Sequence, residues 1–419
     1  MWLGLLFSAL CLGAIFEHRI STVNDIDEEG CLRSETPWDI DLFQKKAVQC
    51  MVLADYVKCP PFTLEALLAY FVTEYFLQGG HSGPWFICGI IVRIAFRMGY
   101  HRDPSNFPNI SPFDAEMRRR LWCIVVQLDL MSASRAGLPR TIQKFQYDTK
   151  EPRNLWDEDF GEGSVTLPPS RPDTEYTPMM YLQTRTDVLE VFARISDLSN
   201  FSSLPPYPEI MRLDSELQQA RQKICGSSID IDNVNFDNPS LALQQIYLRR
   251  LLIKAQCILH RHYLVQARVH DQYEYSRTSC IDAALALLRY QKVLYEESRL
   301  NGRLWPCRWR INPLFGHDSL LGCTILCLEL HQGRSSAATS SSLINHDRQL
   351  REKKLRAEIL NALQGSYEIF VRGSGKSDGA MRIVEALNIV FAEFANELKN
   401  SITSPCKFMI SMRFVIFWY

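Results

Sequence analysis

No pair of cysteines in these 419 residues is spaced C-x-x-C, although thirteen cysteines are present. That spacing opens most structural zinc sites, so none of the usual zinc frameworks is written here. Many of the cysteines lie inside apolar runs, as in "CIVV" from Cys123 and "GCTILCLEL" over Gly322–Leu330. A thiol in such a run behaves as a small buried hydrophobe, and an odd set of unpaired thiols fits a reducing compartment. A charge excess of either sign is also missing, with 46 basic residues against 47 acidic ones and a formal net charge of -1. A general phosphate-binding surface needs clustered, unneutralised Lys and Arg, which this balance excludes. The chain has no H-E-x-x-H and no G-x-G-x-x-G, so the common zinc-protease and dinucleotide motifs are absent. "VRGSGKSDG" would need glycine at position 370 to be a P-loop, and that position is Phe370; it reads as a turn before a helix cap at Ser377. No run alternates as a strand does, and no repeat of fixed period is present.

What is present is hydrophobic mass: 47% of residues are apolar and 11% aromatic, enough for a large core. The periodicity predicts an all-α, large multi-helix domain with long loops and a helical C-terminal part. Thr36-Pro37 starts a helix through about Tyr56, with threonine as cap and proline at the first position. Thr63 caps a helix whose Leu64, Leu67, Leu68, Phe71 and Tyr75 form one stripe, and Gly79 ends it. "WFICGIIVRIAFRM" (Trp85–Met98) is apolar nearly all round and should be deeply buried. Ser111 and Pro112 open the next helix, with Asp114 in the capping-box position. A polar, proline-bearing loop follows over 140–172. Further helices are expected at 176–199, 208–224, 239–268, 276–298, 317–332, 349–371 and 377–399. The expected organisation is one domain over 1–332, a Ser-rich disordered loop over 333–348, C-terminal helices of the same region over 349–400, and an unassigned apolar tail over 401–419.

The apolar N-terminal stretch Met1–Phe16 is short for a membrane span and has neither a basic start nor a small-residue cleavage site. Glu17 and His18 end it, so it reads as a core helix and no membrane partner is expected. Acidic stretches "DIDEEG" (from Asp25) and "WDEDFGEG" (from Trp156) have the wrong spacing for Mg²⁺ and read as solvated loops. Cys323 and Cys327 share a helix face near His317 and His331, but a closed zinc site needs four ligands, so they read as core cysteines. His260 and His262 point to different sides of a helix, which is poor ligand geometry. No metal, cofactor or catalytic residue is expected.

The stretch "EMRRRLWCIVVQLDLMSASRAGLPRTI" (Glu116–Ile142) holds the most chemistry. Asp114 to Arg118 and Glu116 to Arg120 are i, i+4 acid-to-base pairs. At 100° per residue, Arg118, Arg119 and Arg120 fan over about 200°, so at least one points towards the core. Trp122, Val125 and Asp129 share a face, which sets a carboxylate among apolar neighbours. Such a group needs a partner, and Arg119 or Arg135 is the expected one. A structural arginine–carboxylate network outweighs a nucleic-acid contact.

With those residues in hand, Ala95–Ile142 closely resembles the signature of the fungal-specific transcription factor domain, the middle homology region of fungal zinc-cluster transcription factors. The shared string is Gly99–Pro104 ("GYHRDP"), Ser111–Trp122, Asp129, and the Gly137-to-Pro139 turn. Weaker similarities follow at Glu151–Phe160, at "ILHRHYL" (Ile258–Leu264, with His262 in place of the usual proline), at Ser276–Leu288 and at His317–Leu330. The likeness spans roughly residues 1–395. It implies a nuclear transcriptional regulator, not an enzyme, controlling a metabolic or secondary-metabolite gene set. Its implied partners are co-regulators or a DNA-binding subunit, and a small-molecule effector. The site residues it implies are structural or regulatory: His101, Arg102, Asp103, Glu116, Arg118, Arg119, Arg120, Trp122, Asp129, Gly137 and Pro139. Relatives of this kind carry a six-cysteine, two-zinc DNA-binding module; the spacings here exclude one, so direct DNA binding by these residues is unsupported. Two other readings stand beside it: an all-α enzyme of terpenoid-like small-molecule metabolism, and a secreted or membrane-anchored helical protein resting on residues 1–16.

Overall fold

The computed structural model describes residues 1–21, 39–77, 83–201, 203–225, 231–339, 346–373 and 378–397. The acidic stretch from Asp25, the Thr36-Pro37 start, the Gly79 stop, the Ser377 cap and the tail over 401–419 lie outside them. Among the described residues the fold is all-α, with no strand. The chain forms two compact units, Met1–Glu190 and Val191–Tyr419.

The first unit contains α1 (Trp2–Ser21), α2 (Ile40–Leu53), α3 (Thr63–Leu77), α4 (Gly83–Arg97), α5 (Pro112–Ala136) and the start of α6 (Pro178–Ser199). Asp39 caps α2 by accepting from the Leu42 amide at 2.8 Å. The stripe expected on α3 is the core: Leu64, Leu67, Leu68 and Phe71 pack with Ile91, Val92 and Ala95 of α4 and Trp122 and Val125 of α5. At about 25 cal/mol per Å² of apolar area, this is where the unit's stability originates.

α1 departs from expectation by continuing past Glu17 and His18 to Ser21. Arg19 holds this last turn: its Nη2 donates to the Phe76 carbonyl at 3.0 Å, and the guanidinium lies 5.1 Å from the Phe76 ring. Over Trp2–Ile20 the helix is long and apolar enough to cross a membrane. It nevertheless packs on α2 and α3, burying Ser8, Cys11, Ala14 and Ile15 and leaving Trp2, Leu3, Leu6 and Leu10 exposed.

The second unit takes in the rest of α6, then α7 (Tyr207–Cys225), α8 (Pro239–His260), α9 (Glu274–Glu297), α10 (Asn312–Thr339), α11 (His346–Gly373) and α12 (Asp378–Glu397). α9 is central, packing on α8, α10 and α11. The helix expected over 239–268 stops at His260, whose ring is pinned by side-chain contacts; the chain goes on as 3₁₀ turns at Arg261–Tyr263, Gln266–Arg268 and Asp271–Tyr273. The serine-rich stretch expected as a loop over 333–348 is helical at both ends of that range, since α10 runs to Thr339 and α11 starts at His346. Ala337 and Ala338 are strong helix formers and carry the helix into the serine run. Residues 340–345 lie outside the described set.

Cys257, Cys280, Cys323 and Cys327 are all core residues of this unit. Burial pushes the thiols of Cys280 and Cys323 up to about 12, so they stay protonated, a poor state for a metal ligand.

Candidate functional site

α5 organises the polar interior of the first unit. Its start is set by Ser111, extended at φ −65° and ψ 155°, whose Oγ accepts from the Asp114 amide at 3.0 Å, with Pro112 in the first turn. Its end is set by Gly137 in the left-handed region, φ 64° and ψ 30°. The Leu138 amide reaches back to the Ala133 carbonyl at 3.0 Å, a Schellman-type closure that favours glycine at this point. Pro139 follows, exposed, where a helix could not continue.

The three consecutive arginines take three different partners. Arg118 donates to the Met98 carbonyl at 2.8 Å and lies 4.2 Å from the Tyr100 ring. It does not pair with Asp114, as the i, i+4 spacing predicts, because Asp114 is held at the cap by the Ser111 hydroxyl at 2.7 Å. Arg119 grips Asp103 with two bonds, Nε to Oδ2 at 3.0 Å and Nη2 to Oδ1 at 2.9 Å. Arg120 is buried and reaches Glu116 Oε1 at 3.3 Å, the Leu155 carbonyl at 3.1 Å and Asp157; its guanidinium also lies 4.8 Å from the Phe160 ring.

Asp103 ties the "GYHRDP" turn to the loop that follows α5. It is 3% exposed and accepts from the Ser105 and Lys150 amides at 3.0 and 2.9 Å besides Arg119. Burial alone would push its carboxyl up; the Arg119 bonds and the amide donors overcome that and hold it well below the usual carboxylate range. Its own amide donates to Asp148 at 2.9 Å, and Arg102, exposed, pairs with Asp148 at 3.8 Å. The His101 carbonyl accepts from the Asp148 amide at 3.1 Å, while its ring packs 6.3 Å from Trp122. Burial lowers the His101 pKa, so the ring is neutral at pH 7. Gly99, at φ 74°, makes the bend that brings this turn under Arg118.

Asp129 corrects the expectation of an arginine partner. One carboxylate oxygen, Oδ2, accepts from the backbone amides of Thr141 and Ile142 at 2.8 and 2.7 Å. Arg119 is engaged by Asp103, and Arg135 donates to the Tyr75 hydroxyl. Burial raises the Asp129 pKa, with the Ile142 and Thr141 amides opposing it. Glu116, fully buried, accepts from the Arg153 amide at 3.0 Å as well as from Arg120.

Sequence reasoning missed the loop side of this network. Asn154 is 2% exposed; its amide group donates to the carbonyls of Arg171, Pro172 and Glu175 at 3.2–3.4 Å, and its oxygen accepts from the Thr177 hydroxyl. The acidic stretch near Trp156 is solvated as expected, with Asp157, Glu158 and Glu162 exposed, and arginines tie it down: Arg120 bonds Asp157, and Arg171 bonds Asp159 at 2.7 and 2.6 Å. Replacing Asn154 by alanine removes these ties and leaves the buried Thr177 hydroxyl without its acceptor, and should cost about 1–3 kcal/mol. The expected readout is faster proteolytic cutting between residues 155 and 175; an unchanged cutting rate and melting temperature would sink this role.

The second unit has its own buried polar contacts. His260 lies 3.1 Å from Asp214 Oδ1 and 2.9 Å from Ser276 Oγ, and the Tyr275 hydroxyl donates to Asp214 at 2.6 Å. The order Ser–His–Asp is that of a hydrolase relay, but Ser276 and His260 are 0% exposed, so no substrate reaches them and the contact serves as an interhelical tie. His262, from the same pair, is pushed down to about 4 by burial and by Arg261. Asp318 faces two buried cations, Arg250 Nη2 and Lys254 Nζ, each at 3.3 Å. Arg277 and Arg268 both bond Glu329, and Arg277 also reaches Glu352 at 3.1 Å.

The model of the fungal specific transcription factor domain matches residues 3–225. The Zn(2)-C6 fungal-type transcription factor pigI of Monascus ruber is 40% identical over 90% of this chain and 45% of its own length. The Zn(2)-C6 fungal-type transcription factor mpsB of Macrophomina phaseolina is 40% identical over 97% of this chain and 53% of its own. The equisetin cluster transcription factor eqxF of Fusarium heterosporum is 35% identical over 93% and 55%. The chain thus spans about half the length of the curated relatives it matches.

Proposed function

Because this chain belongs to the fungal specific transcription factor domain family, we propose that it is the regulatory region of a transcription factor of the zinc-cluster type. On this reading it acts in the nucleus, performs no catalysis, and controls a secondary-metabolite gene set. Residues 1–332 and the helices over 349–400 make up the regulatory region. His101, Arg102, Asp103, Glu116, Arg118, Arg119, Arg120, Trp122, Asp129, Gly137 and Pro139 form its structural lock. One observation carries the reading: 40% identity along nearly the whole chain to a named zinc-cluster transcription factor. The geometry supports it, since the basic triplet is spent on internal partners, Met98, Asp103 and Glu116. Sequence reading of DNA, and contact with co-regulators, fall to surfaces other than this triplet.

The test is deletion of the gene in its own host, followed by transcript profiling. The expected result is loss of transcripts from one co-regulated set of biosynthetic genes, restored by the reintroduced gene. Unchanged transcripts across growth conditions would overturn the proposal.

A further inference from the structure

α4 is apolar nearly all round, yet one side of it faces water. Phe86 is 65% exposed and Ile90 40%, and Arg93 and Arg97 are exposed as well. Steps of four, three and four residues join these positions, so they line up as one stripe of helix surface. The opposite side carries Cys88, Ile91, Val92 and Ala95, all in the core of the first unit. At 1.5 Å per residue the stripe is about 16 Å long, or about three helical turns.

Three features suit the stripe to a second helix. Its spacing is that of a coiled-coil seam. The Phe86 ring is braced edge-on by Trp85, with 5.0 Å between centroids, so an exposed aromatic is held in place. Gly89, at the stripe's edge, is a residue that a helix interior disfavours, and a Cβ there would meet nothing within 4 Å. The chain forgoes a side chain where space is open, which lets another backbone approach closely.

Charge names the chemistry of that second helix. α4 contains no acidic residue, and neither Arg93 nor Arg97 has a side-chain partner among the described residues. The arginine triplet of α5 is instead spent on internal partners. The stripe is thus apolar in its N-terminal half and cationic in its C-terminal half. Acidic side chains are favoured in the first turns of a helix. A complementary helix therefore runs antiparallel, its acidic start over Arg97 and Arg93 and its apolar end over Ile90 and Phe86.

We propose that this stripe docks an acidic amphipathic helix of a partner protein, antiparallel to α4. As the seat of a co-regulator it deepens the regulatory reading above and rests on it.

The test uses the purified 419-residue chain and a fluorescent synthetic peptide of about 20 residues, long enough to hold a helix. Its seam reads Glu-x-x-x-Glu-x-x-Leu-x-x-x-Leu, and a control of the same composition reverses that order. Fluorescence anisotropy should show saturable binding with a dissociation constant of about 100 μM or tighter, as befits a small contact. The control peptide should bind about 5-fold more weakly or worse. Arg93→Glu with Arg97→Glu, both at exposed sites, should weaken binding about 10-fold, and a peptide with lysine for glutamate should regain it. Gly89→Met fills the open edge and should weaken binding while the melting temperature is kept or raised. No saturable binding by the folded chain overturns the proposal, as does equal affinity for the two peptides or binding unchanged in Gly89→Met. Self-association lost in Phe86→Asp, or displacement of the peptide by duplex DNA, gives the stripe to another occupant and overturns it too. Because anisotropy reads the purified protein, its failure leaves the transcript experiment standing, and the reverse also holds.

Discussion

Replacing Arg119 by leucine is expected to destabilise the first unit by about 3–5 kcal/mol, the usual cost of breaking a buried ion pair from one side. Both side chains are largely withdrawn from water, Arg119 at 12% and Asp103 at 4% exposure. With the guanidinium gone, Asp103 keeps Ser105 and the Lys150 amide as donors for a buried negative charge and no cation against it. The pair also gives the stability a pH signature. Asp103 is held below its ordinary pKa when folded, so its contribution is complete above the unfolded value near 4 and fades as the pH falls below it. Arg119→Leu removes much of that dependence along with the stability. Urea titrations between neutral and acid pH measure both; a loss under about 1 kcal/mol, the range of an exposed pair, would refute the assignment. The double change Arg119→Leu with Asp103→Leu should recover part of the loss, since the stranded charge goes too.

Trp122→Ala is expected to cost a similar 3–5 kcal/mol, here through an unfilled cavity. The indole is 2% exposed and packs against Phe96 and Tyr147, each with ring centroids 5.5 Å away. Its Nε1 has no hydrogen-bond partner among the described residues, so the loss is one of packing alone. Trp122→Phe should therefore retain most of the stability. Equal losses for the two substitutions, read by thermal unfolding, would show that the indole nitrogen matters after all.

How much of this was legible beforehand depended on how local the contact is. The ends of α5 were readable because Ser111-Pro112 and Gly137 act on their own turns. The fan of Arg118, Arg119 and Arg120 followed from helix geometry, and so did the pairing of Glu116 with Arg120. Asp129 was misassigned because its donors are main-chain amides beyond a turn, and a backbone direction leaves no mark in side-chain spacing. Asn154 was invisible for the same reason, since it bonds carbonyls up to 21 positions ahead. In the second unit, Asp214, His260 and Ser276 come from three helices, and no periodicity within one helix announces them. Arg250 and Lys254 look like the wet face of α8 until Asp318 is found opposite them. The family likeness singled out residues of the first unit without revealing which of them meet.

The cysteines have a practical consequence. Among the described residues, Cys50, Cys59 and Cys307 are half-buried, while Cys11, Cys88 and Cys123 in the first unit and Cys257, Cys280, Cys323 and Cys327 in the second are buried. An alkylating reagent reaches the buried group only when the surrounding helices open. The chain therefore carries its own clocks for local opening, with separate sets of thiols in each unit. Mass spectrometry of labelled peptides would time the first unit apart from the second, without an added probe and without assuming that the two unfold together.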